Sequence, residues 1–408
     1  MNMELKPSWE SNHESRNRTF FFTAALIVFA CGFFLLKDIR LIADEYTHHS
    51  QILEIVTGKN LLPSTCPYLP GYHWSMAFLS SLIHDHHPYA LRFLSSVCSF
   101  LCLVVFFLTA KKIDRNSAIQ KSLLFLFLPP LFPFFFLIYT DVYSMFYVFL
   151  ALWAALNRRL RLSGILGILS LIVRQNNILW LGLIAFIAYF ENVDTQDRWK
   201  DVKKRIPQFS FFGLALILTI VFVIWNKGFV LGDKTNHFLS LTAGNLFFSA
   251  YLFFFLFLPQ NLANGSKILH FLKQNKLILL ILIELFFVYL LFFKSEHLYN
   301  TLAGHIHNRI VWRMESHKIL SFLPIAYTVL SLCVTRLQQK SFYLFYPVAI
   351  LFLITLPVIE IRYTFIPFSL FLLFKEKSSE RITLLTLATY VVPIVCLMAL
   401  ILDRTYFP

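Results

Sequence analysis

The sequence predicts an all-α integral membrane protein that crosses the bilayer many times. Three observations carry that prediction. The 408 residues are 58% hydrophobic and only 14% charged, and the apolar residues fall in runs close to the ~20 that a helix needs to cross ~30 Å of hydrocarbon. Forty-seven phenylalanines against 12 glycines lie far from the averages of soluble domains. Basic residues gather in alternate loops between the runs, as they do on the cytoplasmic side of membrane proteins.

Taken in order, the runs place about 11–13 spans at 20–36, 91–110, 122–138, 142–157, 162–173, 178–190, 209–230, 239–258, 276–293, 319–335, 341–358, 363–374 and 382–402. No small-residue cleavage site follows Phe20–Leu36, so it reads as a retained span and not a signal peptide. "WSMAFLSSLI" (Trp74–Ile83) is too short to cross and reads as an interfacial helix inside a long first outer loop, 37–90. The pair 162–173 and 178–190 is short, as expected of a tilted or broken pair lining a cavity. The whole chain, 1–408, is expected to form one polytopic unit.

Most of the 36 lysines and arginines then lie on the cytoplasmic side, in the N-terminal tail, 111–121, 158–161, 191–207, 259–275, 336–340 and 375–381. The net charge of +14 therefore reads as positive-inside bias and excludes a nucleic-acid partner, since no basic stripe with interleaved aromatics lies outside the spans. Six cysteines sit mostly inside spans with no CxxC, which argues against a disulfide framework or zinc knuckle. "HDHH" (84–87) and "HIH" (305–307) match no i, i+4 ligand pair on a helix face, so no metal is expected.

Polar clusters collect on the opposite, outer face. They are Asp44–Glu45, "YTD" ending at Asp141, "RQNN" from Arg174 to Asn177, "GDKTNH" from Gly232 to His237, the stretch from His297 to Met314, and "EIRY" from Glu360 to Tyr363. All but His13 and His270 of the 13 histidines lie there too. Each cluster alone reads as a solvated turn; together they predict one outer-face site. Arg174 and Arg362 border apolar spans, where an unpaired guanidinium is expensive and demands a partner. Glu284, alone in "LILIELFF", reads as a helix-packing residue.

Carboxylates beside cations at a membrane face suit transfer of a sugar from a lipid phosphate. The departing phosphate stays charged and needs cationic donors, for which Arg174, Lys234, His305 and Arg362 are candidates. The acceptor hydroxyl needs a general base. Asp44 fits, with Glu45 orienting it or holding acceptor hydroxyls. His48, Gln51, Asp141, Gln175, Asn177, Asp233, His237, Trp312 and Glu360 are candidates to bind sugar and acceptor. No cofactor is called for beyond the lipid-phosphate donor. The expected partners are a polyprenyl-phosphate sugar, a lipid-linked glycan and membrane lipid.

In the same order along the chain, these motifs resemble those of the dolichyl-phosphate-glucose-dependent α-1,2-glucosyltransferases, of the GT-C class. "ADEYTHHSQ" is similar to the family's Asp-Glu-x-x-His-x-x-Gln stretch through Asp44, Glu45, His48 and Gln51. "PYLPGYHW", "FLIYTD", "VRQNNILW", "GDKTNH" and "LPVIEIRYTFIPF" match later motifs, with Asn176 in place of a Thr. "LAGHIHNRIVWR" departs from the family by lacking an Asp. The resemblance implies a GT-C bundle and inverting transfer of glucose to a lipid-linked oligosaccharide for N-glycosylation, forming an α-1,2 linkage. It implies a site facing the lumen of the endoplasmic reticulum, or the periplasm in a bacterial relative. The rival readings are transfer of another hexose to a bacterial envelope acceptor, a lipid-linked sugar transporter or flippase, and a scaffolding role.

Overall fold

The computed structural model describes residues 8–62, 66–192, 206–301 and 306–403. Among them the chain is helical throughout, with a lone antiparallel bridge between Leu337 and Lys375 and no strand. The first half runs α1 (Ser8–Leu36), α2 (Asp44–Val56), α3 (Gly71–Leu82), α4 (Pro88–Ile113), α5 (Ala118–Leu126), α6 (Thr140–Leu156), α7 (Leu160–Val173) and α8 (Ile178–Asn192). Three helices are long and apolar enough to cross a membrane unaided: Ser15–Leu36 within α1, Pro88–Ile113 and Glu380–Leu402. Two more candidates are bent pairs, Gly265–Gln274 with Leu277–Phe292 at 107° and Arg309–Ser316 with Lys318–Val334 at 105°. Shorter apolar helices pack between them. The protein is a multi-pass membrane protein.

Burial explains this composition. In Leu277–Phe292 only Ile278 and Tyr289 are buried, and Phe20, Ile224, Leu291 and Val392 also stand exposed. A helix apolar on its outward face needs lipid there. Phenylalanines fill the inside: Phe106 stacks on Phe125 at 4.1 Å between centroids, and Phe342 on Phe374 at 4.3 Å. Such pairs add roughly 0.5–1.5 kcal/mol beyond the area they bury.

The run 122–138 is not the single span that its apolarity predicts. Helix α5 stops at Leu126, and the chain turns through a 3-10 segment at Phe132–Phe135. Pro129, Pro130 and Pro133 have no N–H to give and their rings block the preceding turn. Phe134, Phe135, Phe136, Leu137 and Ile138 are all buried, so this greasy stretch is core beneath the site. Helix α3 sits where an interfacial helix is expected, although it starts three residues earlier. The outer loop holds a second helix, α2, which begins at the acidic pair itself.

The loops sort into two ends as charge predicts. At the basic end, the Lys121 ammonium donates to the carbonyls of Leu373 and Lys375, both at 2.8 Å. Gln338 donates to Asp114 at 3.2 Å and Ser341 to Glu191 at 2.6 Å. The opposite end gathers Asp44, Asp141, Arg174 and Arg362.

Candidate active site

The site is built on the start of α2. Glu45 is completely buried and gripped by Arg92 of α4: Nε donates to Oε1 at 3.0 Å and Nη2 to Oε2 at 2.5 Å. The N–H groups of Ile138 and Ile42 add bonds to Oε1 and Oε2 at 2.9 and 3.0 Å. Arg92 also donates to the carbonyls of Leu36, Ile39 and Arg40 at 2.8, 2.6 and 3.1 Å. One ion pair thus ties the end of α1, the start of α2, α4 and the buried 3-10 turn together. All four carboxylate lone-pair directions of Glu45 are taken. Its placement supports an orienting role and leaves nothing with which to hold an acceptor hydroxyl.

This clamp presents Asp44. Ala43, just ahead of it, has φ 43° and ψ −117°, a strained backbone for a residue with a Cβ. The Asp44 N–H donates to the Tyr139 hydroxyl at 3.2 Å. Its side chain, half exposed, meets the Arg362 guanidinium at 2.8 Å. Burial in the surrounding protein pushes the Asp44 carboxyl up, but Arg362 and His48 outweigh it and hold the group below the usual carboxylate value.

Arg362 is shared. It bonds Glu360 through Nε at 2.5 Å and also through Nη2, lies 3.9 Å from Asp141, and stacks over the Tyr139 ring at 5.2 Å. Asp141 in turn pairs with Arg174 at 2.5 Å, whose guanidinium covers the Tyr68 ring at 4.1 Å. Burial raises the Glu360 carboxyl above its ordinary value, with Arg362 opposing. Nε and Nη2 of Arg174 and Nη1 of Arg362 are buried donors with no hydrogen-bond acceptor among the described residues. Unmet guanidinium donors in a closed ionic cluster are fitted to an oxyanion. Residues 44, 141, 174, 360 and 362 come from four separate stretches of chain and meet here.

Around them, Gln175 donates to the Pro67 carbonyl at 2.8 Å, leaving its own side-chain carbonyl free. Gln51 is buried with its amide nitrogen free. Asn177 is a packing knot, donating to Ser144 and to the Ser170 carbonyl at 2.7 and 2.9 Å. His237 lines a cleft with Tyr68, Gln175 and Tyr363, continued by the apolar Phe229, Phe238 and Leu239. Burial takes its imidazole down to about 4, against the pull of Asp233, 3.8 Å away. Asp233 accepts from Tyr299 at 3.0 Å, and Asn300 donates to the Ile359 carbonyl at 2.6 Å, which binds the "GDKTNH" and "HLYN" stretches to the "EIRY" turn.

Two candidates stand apart. Lys234 is exposed and donates to the Asn226 carbonyl at 2.7 Å, not to the cluster. Trp312 is 65% exposed while its neighbours Val311 and Met314 are buried, so the helix turns it outward. His305 lies outside the described residues. Conversely, the sequence reading passed over Arg92, Tyr68 and Tyr139. Arg92 carried a legible signal: a lone arginine in an apolar run, the argument that singled out Arg174.

The DIE2/ALG10 family model matches residues 64–373. Among curated proteins, the chain is 24% identical over 403 residues to the Dol-P-Glc:Glc(2)Man(9)GlcNAc(2)-PP-Dol alpha-1,2-glucosyltransferase of Arabidopsis thaliana, covering 78% of this chain and 79% of that one. It is 26% identical to a Homo sapiens protein of the same name over 69% of this chain and 70% of the other. The Candida albicans protein of that name is 35% identical, but over only 34% of this chain and 33% of its own length. No solved structure matches.

Proposed function

The chain belongs to the DIE2/ALG10 family, and from that premise we propose that it is a membrane glucosyltransferase. It moves glucose from dolichyl phosphate to a lipid-linked oligosaccharide through an α-1,2 linkage, as the names of its relatives state for them. Its eukaryotic relatives support a place in the endoplasmic reticulum membrane, and in this reading the Asp44 end faces the lumen. One observation carries the residue assignment: a half-exposed carboxylate, Asp44, touches a guanidinium, Arg362, that has a further unmet donor.

In this reading Arg174 and Arg362 bind the donor phosphate, and Tyr68 and Tyr139 keep the guanidiniums in place from beneath. The acceptor hydroxyl oxygen attacks the anomeric carbon from the face opposite the phosphate. The carbon–oxygen bond to phosphate breaks, its electron pair leaves on the phosphate, and the hydroxyl proton passes to Asp44. Configuration inverts from β to α. The leaving phosphate needs charge stabilisation and no proton, so a single base suffices and the transfer calls for no divalent ion. Asp141 and Glu360 hold the two guanidiniums, and the cleft past His237 receives the start of the polyprenyl tail.

The contact between Asp44 and Arg362 also sets an order. While Arg362 holds Asp44, that carboxylate is a weak base; a phosphate drawn to Arg362 competes for the same Nη2 and frees it. Asp44→Asn tests the assignment. Transfer should fall by ~10²–10⁴-fold, the range for a positioned general base, while the protein accumulates normally and still binds dolichyl-phosphate glucose. Near-normal turnover in that variant would overturn the assignment.

A further inference from the structure

Close to Asp44, three potential metal ligands face one another. His48 lies one turn after Asp44 on α2, Cys66 precedes α3, and His73 lies within it. His48 Nδ1 and His73 Nε2 are 3.0 Å apart, and the Cys66 sulfur lies 3.9 and 3.8 Å from them. All three side chains are buried, at 2%, 1% and 0% exposure. A tetrahedral zinc with bonds of ~2.0–2.1 Å to nitrogen and ~2.3 Å to sulfur sets its ligands ~3.3 Å apart between nitrogens and ~3.6 Å between nitrogen and sulfur. The observed triangle matches those edges to within a few tenths of an ångström. A hydrogen bond between the two imidazoles accounts for one side of it, and the Cys66 thiol stands almost equidistant from both nitrogens.

We infer that His48, Cys66 and His73 form a zinc site that braces the catalytic loop, with the fourth position open to water or a further ligand. The transfer reading neither assigns this site nor depends on it, and the ion would take no part in the chemistry. Binding replaces the thiol proton, which leaves to solvent, with a sulfur–metal bond. Charge agrees as well. Asp44, Asp141 and Glu360 against Arg174 and Arg362 leave one negative charge, and a divalent ion with one thiolate brings one positive charge beside it.

The brace would join the parts that hold the site in register. His48 shares a helix with Asp44. Cys66 leads directly into Pro67, whose carbonyl accepts from Gln175, and into Tyr68, which lies under Arg174. His73 fixes α3 to both. A two-histidine, one-thiolate set of this kind suits zinc better than magnesium or calcium, which take oxygen ligands.

The test is metal content of the full chain, purified in detergent through a histidine-free tag and without chelator. Mass spectrometry should find about one zinc per chain, as one closed ligand set requires, and Cys66→Ser and His73→Phe should each lose it. Replacing zinc with Co²⁺ should give a thiolate-to-cobalt charge-transfer band and the intense visible bands of a tetrahedral ion, all absent in Cys66→Ser. Zinc retained in Cys66→Ser, or a wild-type protein that takes up neither zinc nor cobalt, overturns the inference. If the variants fail to accumulate, the wild-type cobalt spectrum decides alone: a thiolate band supports the site and its absence refutes it. None of these readouts moves with glucosyl transfer, so the two readings fail separately.

Discussion

Arg92 should prove to be the residue on which the Asp44 loop depends, although it never meets a substrate. Arg92→Met replaces the guanidinium with an apolar side chain of similar length. Glu45 then keeps two backbone donors, from Ile42 and Ile138, but loses its counter-ion at a position of zero exposure. Leaving one partner of a buried ion pair costs about 3–5 kcal/mol. The carbonyls of Leu36, Ile39 and Arg40 lose their donor as well, which places the cost at the upper end. Glu45→Gln is milder, because Arg92 keeps those three carbonyl acceptors and the amide oxygen still accepts one guanidinium bond. Its amide nitrogen, however, faces both a backbone N–H and the other guanidinium N–H, donors against a donor, for roughly 1–3 kcal/mol. The expected order of stability is wild type, Glu45→Gln, Arg92→Met, read as the temperature at which half the transfer activity survives a fixed incubation in detergent. The surviving fraction of each variant should show reduced kcat with donor KM little changed, since the clamp sets Asp44 and not the arginines. An Arg92→Met protein as heat-stable as wild type, with unchanged kcat, would refute the reasoning.

Other outcomes follow from the same geometry. The Asp44 carboxyl is held below its ordinary value, so its charge and the Arg362 contact persist above the unfolded value near 3.9 and fade as pH falls through the lower folded value. The acid limb of kcat/KM should therefore lie below pH 4, and Arg362→Gln should move it upward; a limb that stays put denies the coupling. Ala43→Gly should remove the strain at φ 43° and raise heat resistance by the equivalent of ~1 kcal/mol, measured in the same inactivation assay. Gly232→Ala would drive a methyl group into the Cys66 carbonyl and should cost ~1–3 kcal/mol as an overpacking change, with a rise in donor KM because Tyr68 shifts with that segment.

The sequence disclosed the fold class and the polar cluster more readily than the span boundaries, for physical reasons. Charged residues bordering hydrocarbon are costly, so Arg174 and Arg362 stood out singly, while Asp141 and Glu360 entered with the polar clusters that positive-inside bias placed at one end. Span boundaries rest on apolarity alone. Apolarity does not distinguish a lipid-facing helix from a buried turn, and 122–138 is as greasy as a span because it is core. Lys234 and Trp312 show the converse limit: motif membership places a residue in the right loop, while backbone direction decides where its side chain points. Lys234 closes its own loop on the Asn226 carbonyl, and nothing in the spacing of "GDKTNH" encodes that. Cys66 and His73 were invisible because their relation to His48 is purely tertiary, across 18 and 25 residues. Gly232 read as turn chemistry, yet its φ is unexceptional and its role is close approach to Cys66.

The balance of charge in the cluster explains how such a site survives at a membrane face. Two guanidiniums with no counter-ions would be ruinous there, and two whose every N–H was spent on carboxylates would have no donor left for a phosphate. This chain takes a middle course. Arg174 gives one nitrogen to Asp141 and keeps two donors unmet; Arg362 spends Nε on Glu360, lends Nη2 to Asp44, and keeps Nη1. Of the three carboxylates only Asp44 is half exposed, so it is the one that an incoming phosphate can displace without burying an unpaired charge. On the proposed mechanism, the residue released by donor binding is thus the residue that then accepts a proton, and the resting salt bridge would keep that base quiet until there is a sugar to transfer.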